Sequence, residues 1–182
     1  MEYLTFSSPF NTFTIVWSGT EPKLKLQRIF LSDSERRSEQ RALVFFKQIK
    51  TGSSSSVEML ADKIKRFLEG EELKFDLKWC DFTSCSKLQE KVLKTDYQIP
   101  RGWVSTYKRI AIHTGLENGA RAVGNLLANN PFPIIIPCHR VLKTNGELGG
   151  FQGGITMKRA LLEMEGIEFS KKGKVITDRI YY

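Results

Sequence analysis

Residues 105–131 read STYKRIAIHTGLENGARAVGNLLANNP. Ser105 can cap a first short helix, and Gly115 suits the C′ position where helices end in a left-handed turn. A second helix is expected from about Asn118 to Asn129, stopped by Pro131. Helix, glycine-bearing turn, helix is a helix-turn-helix pattern, although many helical hairpins bind nothing. The second helix says more. At about 100° per residue, Gly119, Val123, Leu126 and Leu127 share one face, that of a core, and Arg121 points nearly opposite. Ala120, Gly124 and Ala128 form a stripe of small residues beside it. Glycine lowers helix propensity by roughly 1 kcal/mol per residue, a loss that a close approach to another surface would offset. A lone arginine on so smooth a helix reaches further than its neighbours.

The chain runs on into PIIIPCHRV, Pro133 to Val141. Three isoleucines predict a buried strand ended by Pro137, with Cys138 where it leaves the core. The thiolate is the nucleophile of a cysteine, and a base or cation raises its population. His139 follows directly. Adjacent side chains on extended backbone diverge, so a bridging water would have to link the two, and a carboxylate would be needed to orient the imidazole. An inert core thiol is the competing reading of any lone cysteine. Having one of only two histidines beside it brings the two readings level. Gly149 to Gly154 reads GGFQGG, where glycines permit close backbone approach and Phe151 offers an apolar wall. No Lys-Ser/Thr follows, so this is not a phosphate-binding P-loop.

Upstream, Ser86 with Gln89 forms a capping box before a helix carrying Leu88 and Val92. The domain boundary is placed just before it, giving domains 1–85 and 86–182. The first domain reads as α/β. Strands are expected at Phe13–Trp17, at Leu24–Leu31, and where Leu73, Phe75, Leu77 and Trp79 alternate with polar residues. Ser32 with Glu35 and Ser55 with Glu58 predict two helices, the first ending near Lys50 and the second carrying Met59, Ile64, Phe67 and Leu68. Downstream, a helix from about Thr156, capped by that residue, carries Leu161 and Leu162 and ends at Glu165 and Gly166.

Composition narrows the class. The chain has 182 residues, 28 Lys and Arg against 20 Asp and Glu, and a formal charge of +8. The net charge is +1 over residues 1–86 and +7 over residues 87–182. A basic second half fits a phosphate-rich partner, though it also fits plain solubility. Three cysteines and two histidines are too few for a disulfide scaffold or a Cys/His-rich zinc cluster. No apolar run approaches the roughly 18 residues of a membrane span. The amino terminus, with its acidic Glu2, does not read as a signal peptide. A soluble, cytoplasmic, basic protein is expected.

Taken together, PCHRV, the Arg-bearing second helix with Asn130-Pro131 ahead of it, and the Gly-aromatic-x-Gly-Gly segment behind it resemble the O6-alkylguanine-DNA alkyltransferase family. The resemblance covers about residues 86–168, and the first domain is similar to the family's only in outline. It implies an α+β two-domain protein: an N-terminal ribonuclease H-like α/β domain, and a C-terminal, mostly helical winged-helix/helix-turn-helix domain. It implies DNA repair by direct, irreversible transfer of the alkyl group from O6-alkylguanine, with O4-alkylthymine a further candidate, in double-stranded DNA bound by its minor groove. Cys138 would attack, His139 would act as base through a water, Glu165 would orient His139, and Asn130 would be the hinge asparagine. Tyr107, which its spacing from Ile110 and Ala111 would otherwise place in the core, would rotate a phosphate and protonate the leaving guanine. Arg121 would fill the gap left by the flipped base, with Ala120, Gly124 and Thr106 against the DNA. Pro133, Val141, Phe151, Gln152 and Gly153 would line the pocket.

The same resemblance implies no cofactor and a monomer. The family often has tyrosine where Phe151 stands, and some members have serine where Gln152 stands. A zinc site of some amino-terminal domains has no ligand set here, since residues 1–86 hold Cys80 and Cys85 but no histidine. Those two cysteines are close enough in sequence to pair, as a disulfide or as neighbouring thiols. Two other functions compete. One is a non-catalytic helix-turn-helix protein that binds lesions or regulates transcription; alkyltransferase-like relatives of that kind lack the cysteine, and Cys138 is present. The other is a cysteine hydrolase on Cys138, His139 and Glu165, for which no oxyanion-hole signature is visible.

Overall fold

The computed structural model describes residues 1–182 and is an α+β protein with six α-helices and small sheets. It divides into two compact units. One is residues 1–82 with 131–135, and the other is residues 83–130 with 136–182. The sequence placed a boundary three residues later and did not foresee that 131–135 would group with the first unit.

In the first unit, β1 (Glu2–Ser8), β2 (Asn11–Ser18), β3 (Lys25–Leu31) and β4 (Lys50–Thr51) form one sheet in the order β3-β2-β1-β4. The pairs β1–β2 and β2–β3 are antiparallel, and β4 joins β1 in parallel. Phe13 to Trp17 are all buried, so central β2 is covered on both faces. Helix α1 (Ser38–Phe45) brings Ala42 against Tyr3, Val16 and Phe30. Helix α2 (Ser55–Leu68) buries Val57, Leu60, Ala61, Ile64, Phe67 and Leu68, a repeat of three and four.

Several local expectations are corrected here. Ser32 does not cap α1. Its hydroxyl accepts the Ser38 N–H, and Asp33 ties the preceding turn through the Glu35 and Arg36 amides. Ser54, not Ser55, caps α2, and Met59 faces solvent. The alternating run at Leu73–Trp79 is no strand. Asp76 accepts the Lys78 N–H and turns Leu77–Trp79 into one turn of 3-10 helix. Ile134, Ile135 and Ile136 are buried but not extended as a strand, with Ile134 at φ +75°. No S–S bond joins Cys80 and Cys85.

In the second unit, α3 (Lys87–Tyr97) packs on α4 (Tyr107–His113) and α5 (Ala120–Ala128), and α4 packs on α5. Ser86 caps α3 by accepting the Gln89 N–H. The Gln89 side chain does not close the box; its amide donates to the Leu126 and Asn129 carbonyls at the end of α5. Gly115 takes φ +78° after α4, as the turn requires. Strands β5 (Ser105–Thr106) and β6 (Val141–Leu142) pair in parallel and set the start of α4 beside the Cys138 turn. Helix α6 (Gly154–Met164) begins two residues before Thr156, with Gly153 at its N-cap. A small hairpin, β7 (Glu168–Phe169) with β8 (Val175–Ile176), follows. No helix is long and apolar enough to cross a membrane.

Candidate active site

Pro137 leads into one turn of 3-10 helix, Cys138–Arg140, whose three side chains are all buried. That turn replaces the expected strand exit, and it sends consecutive side chains to different partners. Cys138 is 7% exposed and receives the Asn130 amide, Nδ2 to Sγ, at 3.3 Å. The same Nδ2 donates to the Ile136 carbonyl at 3.1 Å, which fixes the amide's orientation. Burial and the nearby Asp96 carboxylate push the Cys138 thiol up to about 12, against the pull of Asn130 and Lys158. Cys138 therefore rests as a thiol, inert until its proton is taken.

His139 is fully buried, and its Nε2 lies 2.9 Å from Glu165 Oε1. Burial lowers its pKa despite Glu165, so the ring rests neutral. With a carboxylate on Nε2, that nitrogen carries the proton and Nδ1 keeps the lone pair. Glu165 sits just beyond α6. Arg140 forks onto it, Nε to Oε2 and Nη2 to Oε1, each at 2.8 Å, while Nη1 donates to the Ile99 carbonyl at 2.7 Å. Burial alone would raise Glu165, but His139 and the Arg140 fork hold it at about 2.

The structure thus brings Asn130, Cys138, His139 and Glu165 together, and it adds Arg140 and Lys158. Lys158 is fully buried on α6, donating to the Val141 carbonyl at 2.6 Å and more weakly to that of Gly150 at 3.4 Å. Its signal was legible: Lys158, Leu161, Leu162 and Glu165 repeat at i, i+3, i+4 and i+7, which puts a lysine on the apolar face.

Tyr107 opens α4 directly after Thr106, whose hydroxyl caps the helix by accepting the Arg109 N–H. It is a half-buried wall rather than a core residue. A Cβ on Gly149 would overlap the Tyr107 hydroxyl, and one on Gly124 would touch the ring at 3.8 Å. Gly149 makes room for this ring, whereas a Cβ on Gly124 would meet it only at ordinary contact distance. Burial, with smaller contributions from Cys138 and Asp96, pushes the phenol up to about 12, so it remains a proton donor at neutral pH. Tyr107, Ala120, Arg121, Gly124, Ala128 and Gly149 line a groove of about 680 Å³. Arg121 is exposed. Cys138, Pro133, Val141, Phe151, Gln152 and Gly153 are not among the groove's walls. The Phe151 ring stands edge-on to His139, 6.2 Å between centroids. Pro133 belongs to the 131–135 segment of the first unit. No group of three or more His, Cys, Asp or Glu side chains is arranged to hold a metal ion.

Fold and site define a class: an α+β protein with a buried cysteine that accepts an amide hydrogen bond, next to a buried histidine–carboxylate pair. The family model described as 6-O-methylguanine DNA methyltransferase, DNA binding domain, matches residues 87–167. A methylated-DNA--protein-cysteine methyltransferase of Methanothermobacter thermautotrophicus is 40% identical over 131 residues, covering 69% of this chain and 73% of that protein. The structure of Mycobacterium tuberculosis OGT in complex with DNA superposes with a TM-score of 0.73 at 32% identity, over 91% of this chain and 92% of that one. An O6-methylguanine DNA methyltransferase from Methanococcus jannaschii gives a TM-score of 0.61 at 25% identity, over 99% of both chains. The chain belongs to the methylated-DNA--protein-cysteine methyltransferase family.

Proposed function

We propose that this chain repairs DNA by taking the alkyl group of O6-alkylguanine onto Cys138, once and irreversibly. The single observation that carries the assignment is the buried Asn130–Cys138 contact next to the His139–Glu165 pair. A thiol held at about 12 needs both a proton acceptor and a stabiliser of the sulfur's charge. His139 Nδ1 takes the proton through a bridging water, Glu165, held in place by the Arg140 fork, stabilises the resulting imidazolium, and the Asn130 amide stabilises the sulfur. The S–C bond forms as the bond from the alkyl carbon to O6 breaks. The electron pair leaves on guanine, and the Tyr107 phenol protonates N3. The thioether product is stable, so each molecule acts once, as a monomer and without a cofactor.

The damaged base reaches the thiol by leaving the stack, which costs a few kcal/mol and less for a poorly paired lesion. Ala120, Gly124 and Ala128 let α5 lie close in the minor groove, and Arg121 reaches into the space the base vacates. The +7 net charge of residues 87–182 holds the phosphates. Phe151, Gln152, Gly153 and Val141 enclose the flipped base, and Thr106 meets the DNA at the start of α4. In this reading the first unit is a ribonuclease H-like fold, three antiparallel strands extended by a parallel fourth. The second unit is a winged-helix/helix-turn-helix domain, and the protein works in the cytoplasm.

The test is mass spectrometry of protein incubated with duplex carrying O6-methylguanine. The tryptic peptide holding Cys138 gains one methyl group, and Cys138→Ala gains none while still binding DNA. An unchanged Cys138 peptide, or a methyl group on another residue, overturns the assignment.

A further inference from the structure

Helix α4 is seven residues long, and a helix so short depends on what packs against it. One of its faces carries Tyr107, seated against Gly149. At about 100° per residue, Arg109 lies nearly opposite Tyr107, and His113, four residues on, shares the Arg109 face. Residues 179–182 hold that far face.

They reach it in two steps. The Val104 N–H donates to the Arg179 carbonyl at 3.0 Å, and the Tyr181 N–H donates to the Val104 carbonyl at 2.8 Å, a parallel bridge centred on Ile180. Val104 leads directly into β5, which pairs with the strand that follows the Cys138 turn. Ile180 packs on the buried cluster of Val104, Leu142, Leu162 and Ile167. Tyr182 then crosses onto the helices. Its hydroxyl donates to the Thr95 carbonyl in the last turn of α3 at 2.9 Å. Its ring centroid lies 4.0 Å from that of His113, and its carbonyl accepts from the Arg109 guanidinium. Its backbone stands at φ +73°, a region that a bulky residue occupies only where its surroundings impose it. One residue thus grips both turns of α4 and ties them to α3 and, through Val104, to the strand pair beside Cys138.

We propose that Tyr182 is a positioning residue for Tyr107. By holding Arg109 and His113 it fixes the rotation of α4 about its own axis, and so the depth at which the Tyr107 phenol enters the site. The inference rests on the alkyl-transfer reading, in which that phenol protonates the leaving guanine. A proton donor must stand within hydrogen-bond reach of its acceptor, and a misplacement of about 1 Å caused far from the chemistry costs about a hundredfold in rate. The partners of Tyr182 are Thr95, Arg109, His113 and Tyr181, so its influence on the site passes through α4.

The experiment is a double-mutant cycle read by the rate of reaction with free O6-benzylguanine, in proteins shown by thermal melting to be folded at the assay temperature. Tyr182→Ala is expected to slow the reaction about tenfold. In the Tyr107→Phe background the same change is expected to cost less than about twofold. Tyr182→Phe, which keeps the ring on His113, is expected to lose less than Tyr182→Ala. A merely structural role gives the same fold loss in both backgrounds, and that result overturns the proposal, as does a full rate in Tyr182→Ala. If Tyr182→Ala does not fold, His113→Ala, which removes the exposed partner of the Tyr182 ring, takes its place in the cycle with the same two outcomes. An unaltered protein that leaves benzylguanine unreacted refutes the alkyl-transfer reading instead. The seat of Tyr107 is then read from its ring NMR signals, which must shift in Tyr182→Ala; unshifted signals overturn the proposal.

Discussion

The Asn130 amide donates to the Cys138 sulfur at 3.3 Å, from a residue that ends the turn after α5. This contact ties the end of α5 to the cysteine, and it strengthens if the sulfur gains charge. A hydrogen bond to a charged group contributes ~1.5–3 kcal/mol. Asn130→Ala is therefore expected to slow reaction with free O6-benzylguanine by about tenfold to a hundredfold. The Ile136 carbonyl loses its partner too, so the rate is measured below the variant's melting transition. An unchanged rate means that the amide serves only to hold the loop.

Glu165 should make stability fall in acid. Its folded pKa, about 2, lies below the ordinary ~4.3. The stability it contributes is present above the ordinary value and is lost as pH falls through the folded one. His139, buried and neutral, adds a loss that begins below the ordinary ~6.5, because only the unfolded chain takes up the proton readily. Melting temperatures from pH 7 to 2 should decline through both windows, and Glu165→Gln should flatten the lower one. Parallel curves for the two proteins would show that the Arg140–Glu165–His139 cluster does not govern acid sensitivity.

What the sequence disclosed and what it hid follow one division. Local chemistry was legible: Gly115 needs a positive φ, Ser86 caps α3, and the small stripe of α5 faces a groove. The Cys138–His139 pair and its need for a carboxylate were legible too, whereas Glu165 as that carboxylate came only from the family resemblance. Geometry made by distant pairing was not legible. Nothing in residues 131–136 alone says that three isoleucines are buried without forming a strand, since that follows from Pro131 accepting the Ile29 N–H and from φ +75° at Ile134. The Leu73–Trp79 alternation misled because period two cannot distinguish a strand from a segment that Asp76 turns into a 3-10 helix. Arg140 was visible in the motif without its role. Its fork fits Glu165, but Glu165 lies 25 residues away.

Gly149 gives a steric test of the Tyr107 seat. A Cβ there would overlap the phenol oxygen, so the Tyr107 ring would have to shift from its place. Overpacking of this kind costs typically ~1–3 kcal/mol. Gly149→Ala is expected to lower the melting temperature modestly and to slow repair of duplex substrate. Tyr107→Phe, which keeps the ring and removes the proton donor, should slow the chemistry without the stability loss. Equal melting losses in both variants would place the defect in the hydroxyl's packing rather than in the methyl clash.

In the proposed mechanism, Arg121 separates finding the lesion from reacting with it. It is exposed on α5 and lines the groove with Ala120 and Gly124, while the thiol is buried and absent from the groove's walls. A side chain so placed touches no atom of the Asn130–Cys138–His139–Glu165 set and cannot speed the displacement itself. Its contribution belongs to the flipped state of duplex DNA, where an unfilled gap costs a few kcal/mol of lost stacking. Free O6-benzylguanine has no gap to fill. Arg121→Ala should therefore slow repair of duplex O6-methylguanine by tenfold or more, and leave the benzylguanine rate near that of the unaltered protein. Lys108→Ala, on the same groove but at the start of α4, should weaken duplex binding mainly through salt-dependent phosphate attraction. The two defects then part with ionic strength: raising salt shrinks the Lys108 effect and leaves the Arg121 effect. Equal losses on duplex and free base for Arg121→Ala would move that arginine from the DNA gap into the machinery of the pocket.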